Sequence, residues 1–435
     1  MSPLFLYPFF GEGAVVVALL ALVPLMLIWM TMEPSVYSGE MLHDARHRVM
    51  RAIMRDRFLW LLLAVLGYLS LCKLNGGVDY VYALERQAWT LSRPRWPYLP
   101  GSCQGFGWLP FAACLTFGVL MMAVRNAFGR QKTMVLTLFC SLLAGLSGVG
   151  RLFLLSSGGA VVGHDAPLYG VLLLASTVSV ASAFEQRWAW SLPALVVAMA
   201  GNLTGVIGFG TVFDAVVFLS AWLVLSLFVL LKLRGRSVFF GGVGFPLVLL
   251  TSALVAWLLM QSLAPSAMDA KVSACADGKI FTPEFWASRR LLSGCAMSTW
   301  MEAPWVGSGL GTFGLALRNC LDAAGWAMVP KGACAASNCW VQLLAEGGIV
   351  AAVFLVMPTA WLLGQWARAV VAKFSAGLRK LEPAELLGPV CLSAVAATLT
   401  FGTYALPVGA VAMVLVLLAV SVKELESSVR RADNG

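Results

Sequence analysis

The sequence predicts an all-α polytopic membrane protein of about 11 transmembrane helices, between about 10 and 12. One large extracytoplasmic loop is expected between the eighth and ninth spans. Three observations predict this. Hydrophobic residues make up 60% of the 435-residue chain and charged residues only 12%, about half the charged share of a soluble domain. Window after window reaches the roughly 20 apolar residues needed to cross a bilayer, in continuous runs where a membrane β-barrel would alternate. The net charge of +9 is carried by short connectors on one side of the expected spans, as the positive-inside rule requires. That distribution argues against a nucleic-acid partner.

The first span is expected at residues 13–32 and is expected to be retained, because the start MSPLFLYPFF lacks a basic n-region. A basic connector with Arg46, Arg48, Arg51, Arg55 and Arg57 follows and is placed in the cytoplasm. His43 and His47 lie in it and read as solvated surface. Span 2 covers 58–74. The next connector, 75–107, is rich in Trp, Tyr and Pro and is expected outside, at the membrane interface. Spans 3 to 7 follow at 108–124, 133–147, 168–184, 189–206 and 211–231, with Arg151 at the outer end of span 4 and a Gly-rich turn, GVIGFG, after span 6. Span 8 covers 238–263, span 9 covers 348–366, and 387–404 with 408–422 form a closing hairpin. The organisation is thus an N-terminal bundle of about eight spans (1–263), a large periplasmic loop (264–345), about three C-terminal spans (346–422) and a cytoplasmic tail (423–435). A secondary transporter would show paired repeats with broken helices, and no such repeat is evident.

Six of the ten cysteines fall outside in this topology: Cys103, Cys275, Cys295, Cys320, Cys334 and Cys339. An even number in an oxidising compartment suggests disulfides stapling the large loop. Free cysteines acting as small apolar side chains are the plainer alternative. No His accompanies them and no C-x-x-C occurs, so no metal is expected.

The chemistry is expected in residues 302–348, the most polar, Gly-rich and Cys-rich stretch of the chain. Gly307, Gly309 and Gly311 alternate in PWVGSGLGTF. Glycine permits positive φ, and such a run can turn backbone N–H groups toward an anion; a tight re-entrant turn without a ligand uses the same glycines. Asn338, Gln342 and Glu346 stand at i, i+4 and i+8 and share one helix face. Ser337 or Asn338 would cap that helix. A polar stripe entering a membrane helix normally faces a cavity or the bundle interior. Asp214, near the outer end of span 7, is an intramembrane acid, read either as functional or as bonded to the adjacent turn. Arg289, Arg290, Arg318, Arg151 and Lys331 are the outer cations suited to phosphate. Arg290, Arg93 and Arg95 also read as interfacial anchors.

Together these stretches resemble the O-antigen ligase-like family, which includes O-antigen ligases and O-antigen and exopolysaccharide polymerases. The resemblance rests on Arg289 in SRRLLSGCAMSTW, the 304–313 segment, and Asn338, Trp340, Gln342, Glu346 and Gly348, over about 60 residues. The family's His, often taken as its catalytic base, is Ser337 here. A Ser-Arg-Gly feature of the family is replaced by LTGVIGFG. The resemblance implies an inner-membrane transferase with its C-terminus in the cytoplasm, moving a glycan from a polyprenyl-pyrophosphate carrier to an acceptor sugar hydroxyl on the periplasmic face. Polymerase is favoured over ligase-type transfer to a lipid or protein acceptor, because the ligase-type His is absent. A non-catalytic member that binds lipid-linked glycan, or partners its export, is the reading from another class. His164, the only outer imidazole, then stands first as substitute base, with Glu346 and Glu302 behind it and Arg289 holding the pyrophosphate. The implied partners are lipid-linked glycan, acceptor glycan or lipid, and membrane lipids, with possible glycan-export proteins. No cofactor is implied, since the donor is already activated.

Overall fold

The computed structural model describes residues 16–17, 19–24, 26, 51–83, 88–92, 94–104, 106–126, 130–156, 166–185, 191–234, 243–264, 282–329, 335–378, 380–401 and 408–433. The long helices come first because the apolar runs leave no other way to satisfy backbone hydrogen bonds in lipid. They are α1 (Arg57–Leu74), α2 (Leu109–Asn126), α3 (Arg130–Ser156), α4 (Ala166–Glu185), α5 (Leu192–Phe209), α6 (Val212–Arg234) and α7 (Phe245–Leu263). After them come α8 (Pro283–Glu302), the short α9 (Phe313–Cys320) and α10 (Ala323–Met328), and the closing α11 (Cys339–Ser375), α12 (Pro383–Phe401) and α13 (Val408–Asp433). Ten of these are long and apolar enough to cross a membrane among the described residues, so the chain is a multi-pass helical membrane protein. The ten match the second to eleventh expected spans. Most of the first expected span lies outside the described residues.

The bundle is centred on α4, which is buried along nearly its whole length, with Tyr169, Val171, Leu172 and Leu174 fully enclosed. Around it, α3 and α5 approach at backbone distance. A Cβ on Gly148 would lie 2.8 Å from the Gly201 carbonyl oxygen, and one on Gly145 2.9 Å from that of Ala198. Small residues at such crossings replace the hydrophobic driving force that lipid removes. Two expectations change here. GVIGFG is not a turn but the last part of α5, because its glycines are packing surfaces: a Cβ on Gly205 would overlap the Tyr169 ring. Arg151 is not an accessible cation at the end of its span. It lies inside the longer α3, fully buried, with its guanidinium 6.0 Å from the Tyr169 ring centre.

The 75–107 connector contains strands that the sequence did not lead us to expect. β1 (Gly76–Val78) pairs in parallel with β4 (Ser102–Cys103), and β2 (Tyr80–Ala83) pairs antiparallel with β3 (Ala88–Leu91). The β1–β4 pairing is non-local, setting Gly76 opposite Ser102, and no apolar periodicity of a short segment announces it, whereas β2 and β3 pair locally, with Ala83 opposite Ala88.

At the opposite end of the bundle, charge ties the helices together. Asp56 caps α1 and holds Arg125 of α2 at 2.8 Å, while the guanidinium lies 4.9 Å from the Trp361 ring of α11. Burial pushes the Asp56 carboxyl up, but Arg125, the Phe58 N–H and Asn126 outweigh it and hold it below its ordinary value. Lys373 of α11 and Glu385 of α12 form a buried pair at 2.6 Å, and Lys232 of α6 pairs with Glu382.

Candidate functional site

The site is built on a broken helix. Asn338 caps α11, its Oδ1 accepting from the N–H groups of Trp340 at 3.0 Å and Val341 at 3.3 Å. Ser337, just before the cap, is held at φ 56°, a left-handed conformation uncommon for a non-glycine residue. One helical turn on, the Gln342 amide donates to Glu346 Oε1 at 3.1 Å, so the expected polar face forms. Then the helix breaks. Gly348 has φ 64° and ψ −166°, which strands backbone groups on both sides of it.

The glycine segment takes up those groups. Ser308 N–H donates to the Ala345 carbonyl and Gly309 N–H to the Glu346 carbonyl, both at 2.8 Å. In return, Ile349 N–H donates to the Pro304 carbonyl at 3.0 Å and Val350 N–H to that of Trp305 at 3.2 Å. Gly307, Gly309 and Gly311 all have positive φ (69°, 115° and 80°), which lets alternate N–H groups turn inward. There is also no room for side chains: a Cβ on Gly307 would overlap the Glu346 backbone, and one on Gly311 would lie 2.9 Å from Cys103 Sγ.

The N–H groups that the glycine segment turns inward meet a carboxyl group of the chain itself. Gly311 N–H donates to Glu346 Oε2 at 3.0 Å and Phe313 N–H to Glu346 Oε1 at 3.1 Å. With Gln342, three donors hold that carboxyl group. The geometry therefore makes Glu346 a positioning residue that locks the glycine loop onto α11. On its other side the loop joins β4: Leu310 N–H donates to the Gly101 carbonyl and Cys103 N–H to the Leu310 carbonyl, both at 2.9 Å.

Arg289 projects from α8, which Thr282 caps. Its guanidinium donates to the Thr400 carbonyl near the C-terminus of α12, where a cation is favoured. It also lies 5.0 Å from the Phe401 ring centre. The side chain is nine-tenths buried, and its Nη1 has no hydrogen-bond partner among the described residues. Burial pulls the guanidinium below its ordinary pKa, with Cys339 acting weakly in the other direction. Trp340 Nε1 donates to Thr400 Oγ1 at 3.2 Å, so α8, α11 and α12 meet at one threonine. Trp340 also lines an apolar cleft of about 230 Å³ between α11, α12 and α13, together with Leu355, Val356, Leu392, Leu399 and Val411.

The structure thus brings Asn338, Gln342, Glu346 and the three glycines into one network, with Arg289 adjoining through Thr400 and Trp340. Cys339, at the start of α11, is within electrostatic reach of Arg289, Asp214 and Glu346. Asp214 forms a reciprocal cap with Thr211: Oδ2 accepts from Thr211 N–H at 2.8 Å and from its hydroxyl at 2.7 Å, and Asp214 N–H donates back at 3.1 Å. This is a local cap at the start of α6. Arg290, Arg318 and Glu302 are exposed, and Arg151 is interior. His164 and Lys331 lie outside the described residues. A disulfide joins Cys295 of α8 to Cys320 of α9; Cys275 and Cys334 lie outside the described residues.

Sequence reasoning missed Thr400, Phe401, Asn75 and β4. A threonine at the end of an apolar span was the only visible signal for the first. Among the described residues no three His, Cys, Asp or Glu side chains are grouped to hold a metal ion. Neither a family model nor a curated protein matches the sequence.

Proposed function

We propose that the protein is a glycan-assembly transferase resembling the O-antigen ligase-like family: a polysaccharide polymerase acting on polyprenyl-pyrophosphate-linked glycan at the periplasmic face of a bacterial inner membrane. The full topology belongs to this reading, with about 11 spans, α8 to α10 in a large periplasmic loop and the C-terminus in the cytoplasm. The observation that carries it is the placement of Arg289. A buried guanidinium with an unengaged nitrogen sits one hydrogen-bonded residue from Trp340, which lines an apolar cleft between membrane helices. A guanidinium suits pyrophosphate, and an apolar cleft suits an isoprenoid chain.

In the proposed step the acceptor hydroxyl oxygen attacks the anomeric carbon and forms the new glycosidic bond. The bond from that carbon to the phosphate oxygen breaks, and its electron pair leaves with the polyprenyl pyrophosphate, whose charge Arg289 neutralises. The hydroxyl proton passes to a base, for which the sequence offers His164, or to the departing pyrophosphate. The acceptor enters over the open cleft lined by Asp79, Gln104, Gly311 and Leu315. Transfer to a lipid or protein acceptor would be the same step with another hydroxyl.

A second reading, binding or handing on of lipid-linked glycan without reaction, is favoured by the engagement of Glu346 in the loop and by Ser337 at the family's His position. One experiment separates them. Purified wild-type, Arg289→Ala, Arg289→Lys and His164→Ala proteins in nanodiscs are given polyprenyl-pyrophosphate oligosaccharide, and chain lengths are read by gel. Polymerase activity lengthens the glycan, and Arg289→Ala cuts the rate about 100-fold or more, with partial recovery in Arg289→Lys. Retention of the donor with no lengthening by the wild type selects the binding reading. Unchanged rates in Arg289→Ala overturn the site.

A further inference from the structure

The turn at residues 94–100 is built to a degree that its exposed position does not require. Asn75, fully buried at the end of α1, donates through Nδ2 to the carbonyls of Trp96 (2.9 Å), Leu99 (3.0 Å) and Pro100 (3.1 Å). Its Oδ1 accepts from Trp96 N–H at 2.8 Å. Pro94, Pro97 and Pro100 restrict the same segment. One buried amide therefore satisfies the inner side of the turn, and the outer side is forced out. Tyr98 is 90% exposed, and Trp96 and Leu99 stand out beside it, with Arg95 placed 5.7 Å from the Trp96 ring centre.

The outward face continues a membrane surface. Trp60, Leu63, Gly67, Leu71 and Leu74 follow helical spacing along α1, and Trp60, Leu63 and Leu74 are exposed. Leu71 shares a shallow apolar hollow with Trp96, Pro97, Tyr98 and Leu99. Rigid aromatics held out into water would cost free energy. At the boundary of headgroups and acyl chains their rings are buried and their N–H and O–H groups meet polar lipid.

We propose that residues 94–100 are a membrane foot, seated at the headgroup–acyl boundary of the leaflet on the site's side, that sets the height of the glycine loop over the bilayer. The link is short. Pro100 is followed by Gly101, whose carbonyl accepts from Leu310 N–H, and Ser102 pairs with Leu310 while its hydroxyl donates to the Cys72 carbonyl at 2.9 Å. Gly101 has no space to yield: a Cβ there would lie 3.0 Å from Pro94 Cβ and 3.2 Å from the Asn75 carbonyl oxygen. A displacement of the foot thus reaches the loop through one residue.

The test needs no turnover, so it stands or falls apart from the transferase reading. Full-length protein carrying Tyr98→p-benzoylphenylalanine is reconstituted in phosphatidylcholine nanodiscs and irradiated. Adducts are identified by mass spectrometry, with the same substitution at exposed Asp79 as reference. The expected result is a lipid adduct about tenfold above the reference, falling several-fold when Asn75→Ala loosens the turn. An adduct to a second copy of the chain, lipid yield at the reference level, or loss of the lipid adduct on adding soluble oligosaccharide overturns the proposal. Should Asn75→Ala fail to fold, the single Tyr98 substitution still decides.

Discussion

Gly348 shows how much one residue decides in this site. Its φ of 64° breaks α11, and a Cβ there would run into the Trp305 carbonyl. Alanine would be forced into a backbone region open essentially only to glycine, at a cost of about 1–3 kcal/mol, and would meet an overlap that the interlocked glycine loop cannot relieve. Gly364, in the same helix, has nothing within 4 Å of its Cβ position. Gly348→Ala should therefore lower the melting temperature in detergent, whereas Gly364→Ala should leave it unchanged or raise it, since Gly costs about 1 kcal/mol in a helix interior. Equal melting curves for the two would show that the break is not required. The same close view recasts Glu346. From sequence it is an acid entering a membrane span; its hydrogen bonds to Gly311, Phe313 and Gln342 make it the pin of a loop.

At the scale of elements, α8 and α9 depend on a covalent tie. The Cys295–Cys320 bridge closes a segment with a sequence separation of 25, which stabilises by roughly 3 kcal/mol if it acts on the unfolded chain. It backs a small core of Leu292, Ala296, Phe313 and Leu317, apart from the main bundle. Cys295→Ser should speed proteolysis between α8 and α10 while the membrane helices keep their protection, read by limited digestion and mass spectrometry. If both thiols alkylate in the unreduced wild type, the bridge is absent. The sequence pointed to disulfides in this region without the pairing, because pairing depends on how two helices cross. It showed the polar face of α11 well, since helical spacing is local. It did not show that the glycine segment would bond that face, because those contacts join residues about 35 apart.

For the whole molecule, the two ends of the bundle are held by different physics. The site end is closed by backbone hydrogen bonds among the glycine loop, β4 and α11. The other end is closed by charge. Lys373 and Glu385 are both nearly inaccessible, and Glu385 also accepts from the Glu382 N–H at 2.7 Å. Removing one partner of such a pair leaves a buried charge and costs about 3–5 kcal/mol, while replacing both with apolar groups is often neutral. Glu385→Ala should destabilise strongly, and Lys373→Met with Glu385→Leu should recover most of the loss, in a double-mutant cycle of thermal unfolding. Additive losses would mean that the pair does not act as a unit.

The sequence by itself determined that this chain is a multi-pass helical membrane protein and where ten of its spans lie, because burial in lipid requires long apolar runs and these are written locally. It also marked the 302–348 stretch and the face shared by Asn338, Gln342 and Glu346. Only the tertiary structure decided what those residues do. The loop N–H groups bond the Glu346 carboxyl of the chain itself, and Arg289, with an unengaged nitrogen, meets Thr400 and Phe401 from another helix. Such roles are set by which distant segments meet, and packing geometry is not carried by the periodicity of any one of them.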